Sequence, residues 1–235
     1  MKGLTLVLVG MLMCACAQAG VVMTGSRVIY PADGREVSVQ LTNHDDFPGV
    51  VQVWVDDGDP QSTPQTAKAP FVTTPPVFRL AAKTGQTVRL RYVGGPAPQD
   101  RESLWWLNFI HIPPVQAGQQ DNQLLVMVRS RVKVLYRPRG LTGSPLEMAN
   151  TSRVWLRDGR LFLRNNSGYY LALSALEVSG NGTQRVQSET VAPWATVSWP
   201  ARVTAISQAT LRWINDQGAT LSHRVAVGYQ DDVRR

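Results

Sequence analysis

The chain has 235 residues, of which 43% are hydrophobic and 17% charged. That length fits one or two domains, and that balance excludes a disordered chain. No glycine repeat and no sustained heptad occurs, which excludes collagen-like and coiled-coil architectures. Lysine and arginine number 24 against 17 acidic residues, a formal +7. A basic balance suits nucleic acid, anionic lipid or an acidic protein alike, so charge by itself selects no partner.

Residues 1–19 read MKGLTLVLVGMLMCACAQA. Lys2 is a positive start, Leu4 to Met13 is an apolar core, and Ala17-Gln18-Ala19 is a small-x-small cleavage site. This is the three-part layout of a secretory signal. The apolar run is shorter than the roughly 20 residues a spanning helix needs, and no later run is long enough. No membrane insertion is expected. A lipoprotein site at Cys14 or Cys16 is the competing reading, but the preceding residues, Leu12-Met13 and Cys14-Ala15, suit it poorly. Cleavage before Gly20 removes both cysteines. The mature chain then has no disulfide, no thiol nucleophile and no thiolate metal site, so a core must supply its stability.

Strand patterns dominate the mature chain. Glu36–Asn43 alternates, with Val37, Val39 and Leu41 on one face. Val50–Val55 carries Trp54. Gln86–Tyr92 alternates strictly, with Val88, Leu90 and Tyr92 against Thr87, Arg89 and Arg91. Period two of this kind marks a half-buried strand. Leu104–Ile112 is apolar and aromatic and ends at Pro113-Pro114, and Leu124–Tyr136 is the longest run. Turns are expected at Asp33-Gly34, Asp57-Gly58 and Gly94-Gly95-Pro96. In the second half, Val154–Leu156, Asp158-Gly159 and Leu161–Leu163 spell a hairpin with a type I′ turn. Tyr169–Val178, Thr196–Trp199, Thr210–Ile214 and His223–Val227 are further strands. Residues 137–145, rich in proline and glycine, form a linker. The boundary is drawn near Leu141, giving domains over 20–141 and 142–235. No amphipathic helix is found. The fold class is all-β, two consecutive β-sandwiches.

Catalytic chemistry is hard to assemble. His44, His111 and His223 are isolated, with no metal-ligand spacing, so no metal and no cofactor is expected. No G-x-S-x-G elbow, phosphate loop or dinucleotide fingerprint occurs. Asp45-Asp46 and Asp56-Asp57 sit at strand ends beside turns, where turn chemistry explains them better than acid–base work. Arg89 and Arg91 form a solvated strand face without interleaved aromatics, so no nucleic acid is expected.

Five segments together carry a family resemblance. They are Thr74-Pro-Pro-Val-Phe-Arg-Leu80, Gln99-Asp-Arg-Glu-Ser-Leu-Trp105, Asn108-Phe-Ile-His-Ile-Pro-Pro114, Arg131-Val-Lys-Val-Leu-Tyr-Arg-Pro138 and Ile214-Asn-Asp-Gln-Gly218. Each alone is weak, while their order and spacing are specific. In these the chain resembles the periplasmic pilus-assembly chaperones, the PapD-like family, over essentially its whole mature length. Its short segment Val115–Asn122 and lack of a cysteine pair resemble the short-loop subfamily.

The resemblance implies two immunoglobulin-like sandwiches in an L. It implies a periplasmic chaperone that lends a strand to incomplete pilus subunits, caps them and delivers them to an outer-membrane usher. Leu124, Val126 and Val128 would be the partner-facing donor residues, with Leu125 and Met127 turned toward the chaperone's own core. From pattern alone, a strand buried on both faces within one sandwich explains this run equally well. Arg27 and Lys133 would anchor the subunit's terminal carboxylate. Glu102, Arg137 and Asp216 would form a charge network between the domains. An exposed apolar donor strand also invites two copies to cap one another. The alternative is a secreted structural or adhesive fibre component, and an enzyme comes third.

Overall fold

The computed structural model describes residues 20–95, 97–114 and 127–228. The signal segment, the Val115–Asn122 connection and two of the expected donor residues, Leu124 and Val126, lie outside the described residues.

Among the described residues nine strands build the first half: β1 (Val21–Met23), β2 (Arg27–Pro31), β3 (Val37–Asn43), β4 (Gly49–Asp56), β5 (Phe71–Thr74), β6 (Val77–Leu80), β7 (Gly85–Tyr92), β8 (Ser103–Ile112) and β9 (Val128–Arg137). They form a four-stranded sheet, β1-β3-β7-β5, and a five-stranded sheet, β2-β9-β8-β4-β6. The alternating runs behave as their period requires. Val39 and Leu41 of β3 and Val88 and Leu90 of β7 are buried, and Val39 pairs with Val88. They meet Val51, Val53, Leu107, Phe109 and Val134 of the other sheet in one core. Burying a side chain of this size is worth about 1.5–3 kcal/mol.

The chain changes sheets between β1 and β2. β1 pairs with β3, while β2 pairs in parallel with β9. The crossing runs through Gly25 at φ +92°, a conformation that strains any residue with a Cβ.

A single helical turn, α1 (Met148–Thr151), opens the second half. It is too short to show a helical period. Among the described residues seven strands complete this half: β10 (Arg153–Arg157), β11 (Arg160–Arg164), β12 (Leu171–Gly180), β13 (Thr183–Val191), β14 (Thr196–Pro200), β15 (Ile206–Ile214) and β16 (Thr220–Val227). Their hydrogen-bonded order is β13-β12-β15-β16-β10-β11-β14. The parallel pair β10–β16 joins the two faces along one edge. Leu161 and Leu163 of β11 pack across the core against Leu173, Leu176 and Leu211. The hairpin turn has Asp158 at φ +48° and Gly159 at φ +70°, as a type I′ turn demands. Leu141, at the expected boundary, packs against this second core.

Tyr169 and Tyr170, whose pattern places them in a strand, instead precede β12. Their backbone is used elsewhere. Asn165 donates its side-chain amide to the Tyr169 carbonyl at 2.8 Å, and the Tyr170 amide donates to Glu102 at 2.7 Å. Five strands escape the sequence pattern, the short β1 and β2 among them. β5 and β6 are four residues each and flank Pro75-Pro76, and β13 is a polar edge strand.

Candidate functional site

β9 is paired unequally on its two sides. β8 covers it from Val128 to Tyr136. β2 covers it only from Lys133 onward, beginning at the pair Arg27–Lys133. Residues 128–132 therefore present an edge with no strand beside it among the described residues. Such an edge is a template for pairing with another chain. Beside it opens a cleft of about 480 Å³, lined by Val21, Met23, Phe109, Val128, Ser130 and Val132.

The faces of β9 follow from its register. Val132, Val134 and Tyr136 belong to or pack on the core. Arg129, Arg131 and Lys133 lie on the opposite face, against Trp54 and Trp106. Val128 shares the parity of the core-side set and is 67% exposed, because the sandwich is open at that end. The expectation that Met127 faces the chaperone's own core is corrected: it has the parity of the arginines and is 54% exposed. Its companion Leu125 lies outside the described residues, as do Leu124 and Val126.

Arg27 and Lys133 are cross-strand neighbours where the free edge ends. Arg27 donates Nη1 to the Ile214 carbonyl at 3.1 Å, a reach into the second half of the chain. Its Nε is buried without a hydrogen-bond partner among the described residues. Lys133 Nζ lies 5.6 Å from the Trp106 ring centre. Neither cation is within ion-pair distance of a carboxylate among the described residues. Burial pushes the Lys133 ammonium below the ordinary lysine range, and the neighbouring Arg27 pushes it further. Burial likewise lowers Arg27, while Asp216 and Glu102 pull it back up. Arg27 and Lys133 are thus two partly desolvated like charges side by side, with one buried Arg27 donor unpaired among the described residues.

Close by, the structure brings Glu102, Arg137 and Asp216 together. Arg137 donates Nε to Glu102 at 2.7 Å and a fork of Nη1 and Nη2 to Asp216 at 2.8 and 3.1 Å. Its guanidinium also lies 5.3 Å from the Tyr169 ring centre. Glu102 is only 2% exposed. Burial pushes its carboxyl up, against the opposing pull of Arg137 and the Tyr170 amide. Arg137 ends β9, Asp216 comes after β15, and Glu102 precedes β8, so the cluster joins the two halves.

Residues 20–142, which hold this open edge and its two cations, match the family described as pili and flagellar-assembly chaperone, PapD N-terminal domain. Residues 149–225 match the pili assembly chaperone PapD, C-terminal domain. The chain belongs to the PapD family of pilus-assembly chaperones. Among curated relatives, chaperone protein MrkB of Klebsiella pneumoniae is 37% identical over 216 residues, covering 88% of this chain and 91% of that protein. Chaperone protein HifB of Haemophilus influenzae is 36% identical over 215 residues, with 88% of each covered. The crystal structure of the Pseudomonas aeruginosa CupB2 chaperone superposes with a TM-score of 0.76 at 30% identity, covering 88% of this chain and all of that one. A structure of the Salmonella enterica SafA pilin in complex with the SafB chaperone matches with a TM-score of 0.75 at 26% identity, over 90% of this chain and 97% of the other.

This PapD-family chaperone thus has the two β-sandwich domains its strand pattern implied, of the immunoglobulin-like kind the family resemblance implied. Its family consists of assembly chaperones, which are not enzymes. The chaperone reading prevails over that of a structural fibre component. No helix among the described residues is long and apolar enough to cross a membrane.

Proposed function

We propose that this chaperone captures pilus subunits in the periplasm by lending them β9. The single observation that carries the mechanism is the free edge at 128–132, closed at one end by Arg27 and Lys133. A strand added to that edge lies in line with β2 and must stop where β2 begins. If its end is a carboxylate, it meets the two cations there. A C-terminus at the Lys133 end makes the added strand parallel to β9, as β2 already is. Backbone hydrogen bonds supply the pairing, and Leu124, Val126 and Val128 fill the subunit's groove. The SafA–SafB complex supports this reading for a related chaperone. Delivery to an outer-membrane usher is then the step that releases the lent strand. The same exposed edge lets two free copies cap one another. The Glu102–Arg137–Asp216 cluster fixes the orientation of the domains rather than binding ligand.

The test is affinity purification of the tagged mature protein from its native periplasm under conditions where pili are made, with intact mass of whatever co-elutes. A small secreted subunit in stoichiometric amount is the expected result. No co-eluting subunit while pili are being assembled would overturn the proposal.

Lys133 gives the binding a pH signature. A carboxylate needs the ammonium form, and in the free protein that form is already disfavoured by burial and by Arg27. Subunit affinity should therefore fall as pH rises through the depressed Lys133 pKa, below the pH at which an ordinary lysine titrates. Over the same window the unfolded chain binds more protons than the free folded chain, so free-state stability should rise. Titration calorimetry across alkaline buffers of different ionisation enthalpy reads both the affinity and the proton uptake. Affinity that stays flat up to the ordinary lysine range would remove Lys133 from the site.

A further inference from the structure

Asp56 ends β4 and is completely buried. Turn chemistry accounts for part of it, since Oδ1 accepts the Gly58 amide at 2.7 Å. A residue needed only for that turn would remain in water. Instead the Ser62 hydroxyl and the Asn108 side-chain amide donate to Oδ2 at 2.6 and 2.7 Å. Arg131 donates to Oδ1 at 2.9 Å and Arg129 to Oδ2 at 3.2 Å. Burial pushes this carboxyl up, yet Ser62, Gly58, Asn108 and Arg131 together hold it below the usual carboxylate range. A buried carboxylate requires such compensation, and here two of the compensating groups come from β9.

Arg129 and Arg131 stand two residues apart on the outward face of β9, with Lys133 next in the series. Arg129 lies 4.8 Å from the Trp54 ring centre and also donates to the Asn108 oxygen at 2.7 Å and the Pro60 carbonyl at 2.9 Å. Arg131 lies 4.8 Å from the Trp106 ring centre, the same ring that carries the Lys133 ammonium. The outward side chains of β9 are therefore tied to β4, β8 and the 57–62 loop. They are tied over the residues whose other edge has no strand. Unsupported edges open locally at low free energy.

We propose that Asp56 is a positioning residue for subunit capture: through Arg129 and Arg131 it holds the free edge of β9 extended, and through the shared Trp106 face it sets the place of Lys133. A pre-ordered edge lowers the ordering cost of pairing with an incoming strand. This inference rests on the reading of β9 as the lent strand.

The test compares wild type, Asp56→Asn and Arg129→Gln. Amide hydrogen exchange is followed at residues 128–132 of the free protein, beside β3 and β7 of the same domain as an internal reference. Affinity is measured with one probe, the subunit that co-purifies with wild type, unfolded in guanidinium and diluted into chaperone. Asp56→Asn is expected to speed exchange at 128–132 about tenfold and weaken capture about tenfold, with β3 and β7 unchanged. Arg129→Gln should show the same pattern at smaller amplitude, and it decides the matter if Asp56→Asn fails to fold. A role confined to stability would lower the melting temperature and speed exchange at β3 and β7 along with 128–132. Wild-type exchange and affinity in the folded variants would overturn the role of Asp56 while leaving the lent strand intact. A wild-type protein that captures no subunit would overturn the lent strand and this inference together.

Discussion

Lys133→Ala is expected to abolish useful subunit capture while leaving the free chaperone at least as stable as wild type. The two halves of this expectation have one cause. In the free protein Lys133 is a half-buried ammonium next to Arg27, with no carboxylate partner among the described residues. Deleting it removes a desolvated charge and a like-charge repulsion. In the complex the same ammonium would share the subunit's terminal carboxylate with Arg27. Truncating one partner of a desolvated charge pair costs about 2–5 kcal/mol, which is roughly 30-fold to several thousand-fold in affinity. Arg27 replaces only part of the loss, because one of its arms is committed to the Ile214 carbonyl. The measurement is a titration with purified subunit beside a thermal melt of the free protein. Normal affinity would discard the anchor. Lost affinity with a large fall in melting temperature would show that Lys133 serves the fold instead.

What the sequence disclosed about the fold came from half-buried faces. Glu36–Asn43 and Gln86–Tyr92 alternate because each has one wet face, and they pair directly, Val37 with Leu90 and Val39 with Val88. Asp158-Gly159 disclosed its hairpin because a type I′ turn restricts both residues. Edge strands hid for the opposite reason. β13 carries polar residues on an unpaired outer side, and polarity of that kind looks like loop. Tyr169 and Tyr170 look like strand, but Asn165 and Glu102 claim their backbone groups, and such long-range claims leave no local period.

The site was less legible. Arg27 and Lys133 become neighbours through a parallel pairing of distant chain segments, which no window of sequence contains, so only the family resemblance pointed to them. Asp56 had a sufficient local explanation in its turn with Gly58. That explanation concealed the larger cluster, because one carboxylate closes the turn and receives Ser62, Asn108, Arg129 and Arg131 as well.

Arg137→Ala should be the most destabilising single change in the interdomain cluster. It leaves Glu102, 2% exposed, without its cation, and Asp216 without the fork that joins it to β9. Stranding one member of a buried pair costs about 3–5 kcal/mol. The pH dependence has a definite sign. Burial already raises the Glu102 pKa, and removing Arg137 takes away one of the groups opposing that rise. Between the ordinary glutamate value and the raised one, the folded chain holds a proton that the unfolded chain has lost. Stability then falls as pH rises through that window. The deficit of Arg137→Ala should therefore be larger at neutral pH than in mildly acidic buffer. Adding Glu102→Gln to the variant should return much of the lost stability, since an amide can keep the Tyr170 hydrogen bond without a stranded charge. Denaturant unfolding at two pH values reads these effects, and small-angle scattering reads the domain orientation. If the double variant recovers stability but its domains sample many orientations, the network specifies geometry more than it stabilises. If both variants keep the wild-type scattering profile, the orientation is held by other contacts, such as Arg27 with Ile214 and the Glu102 amide with the Gly168 carbonyl.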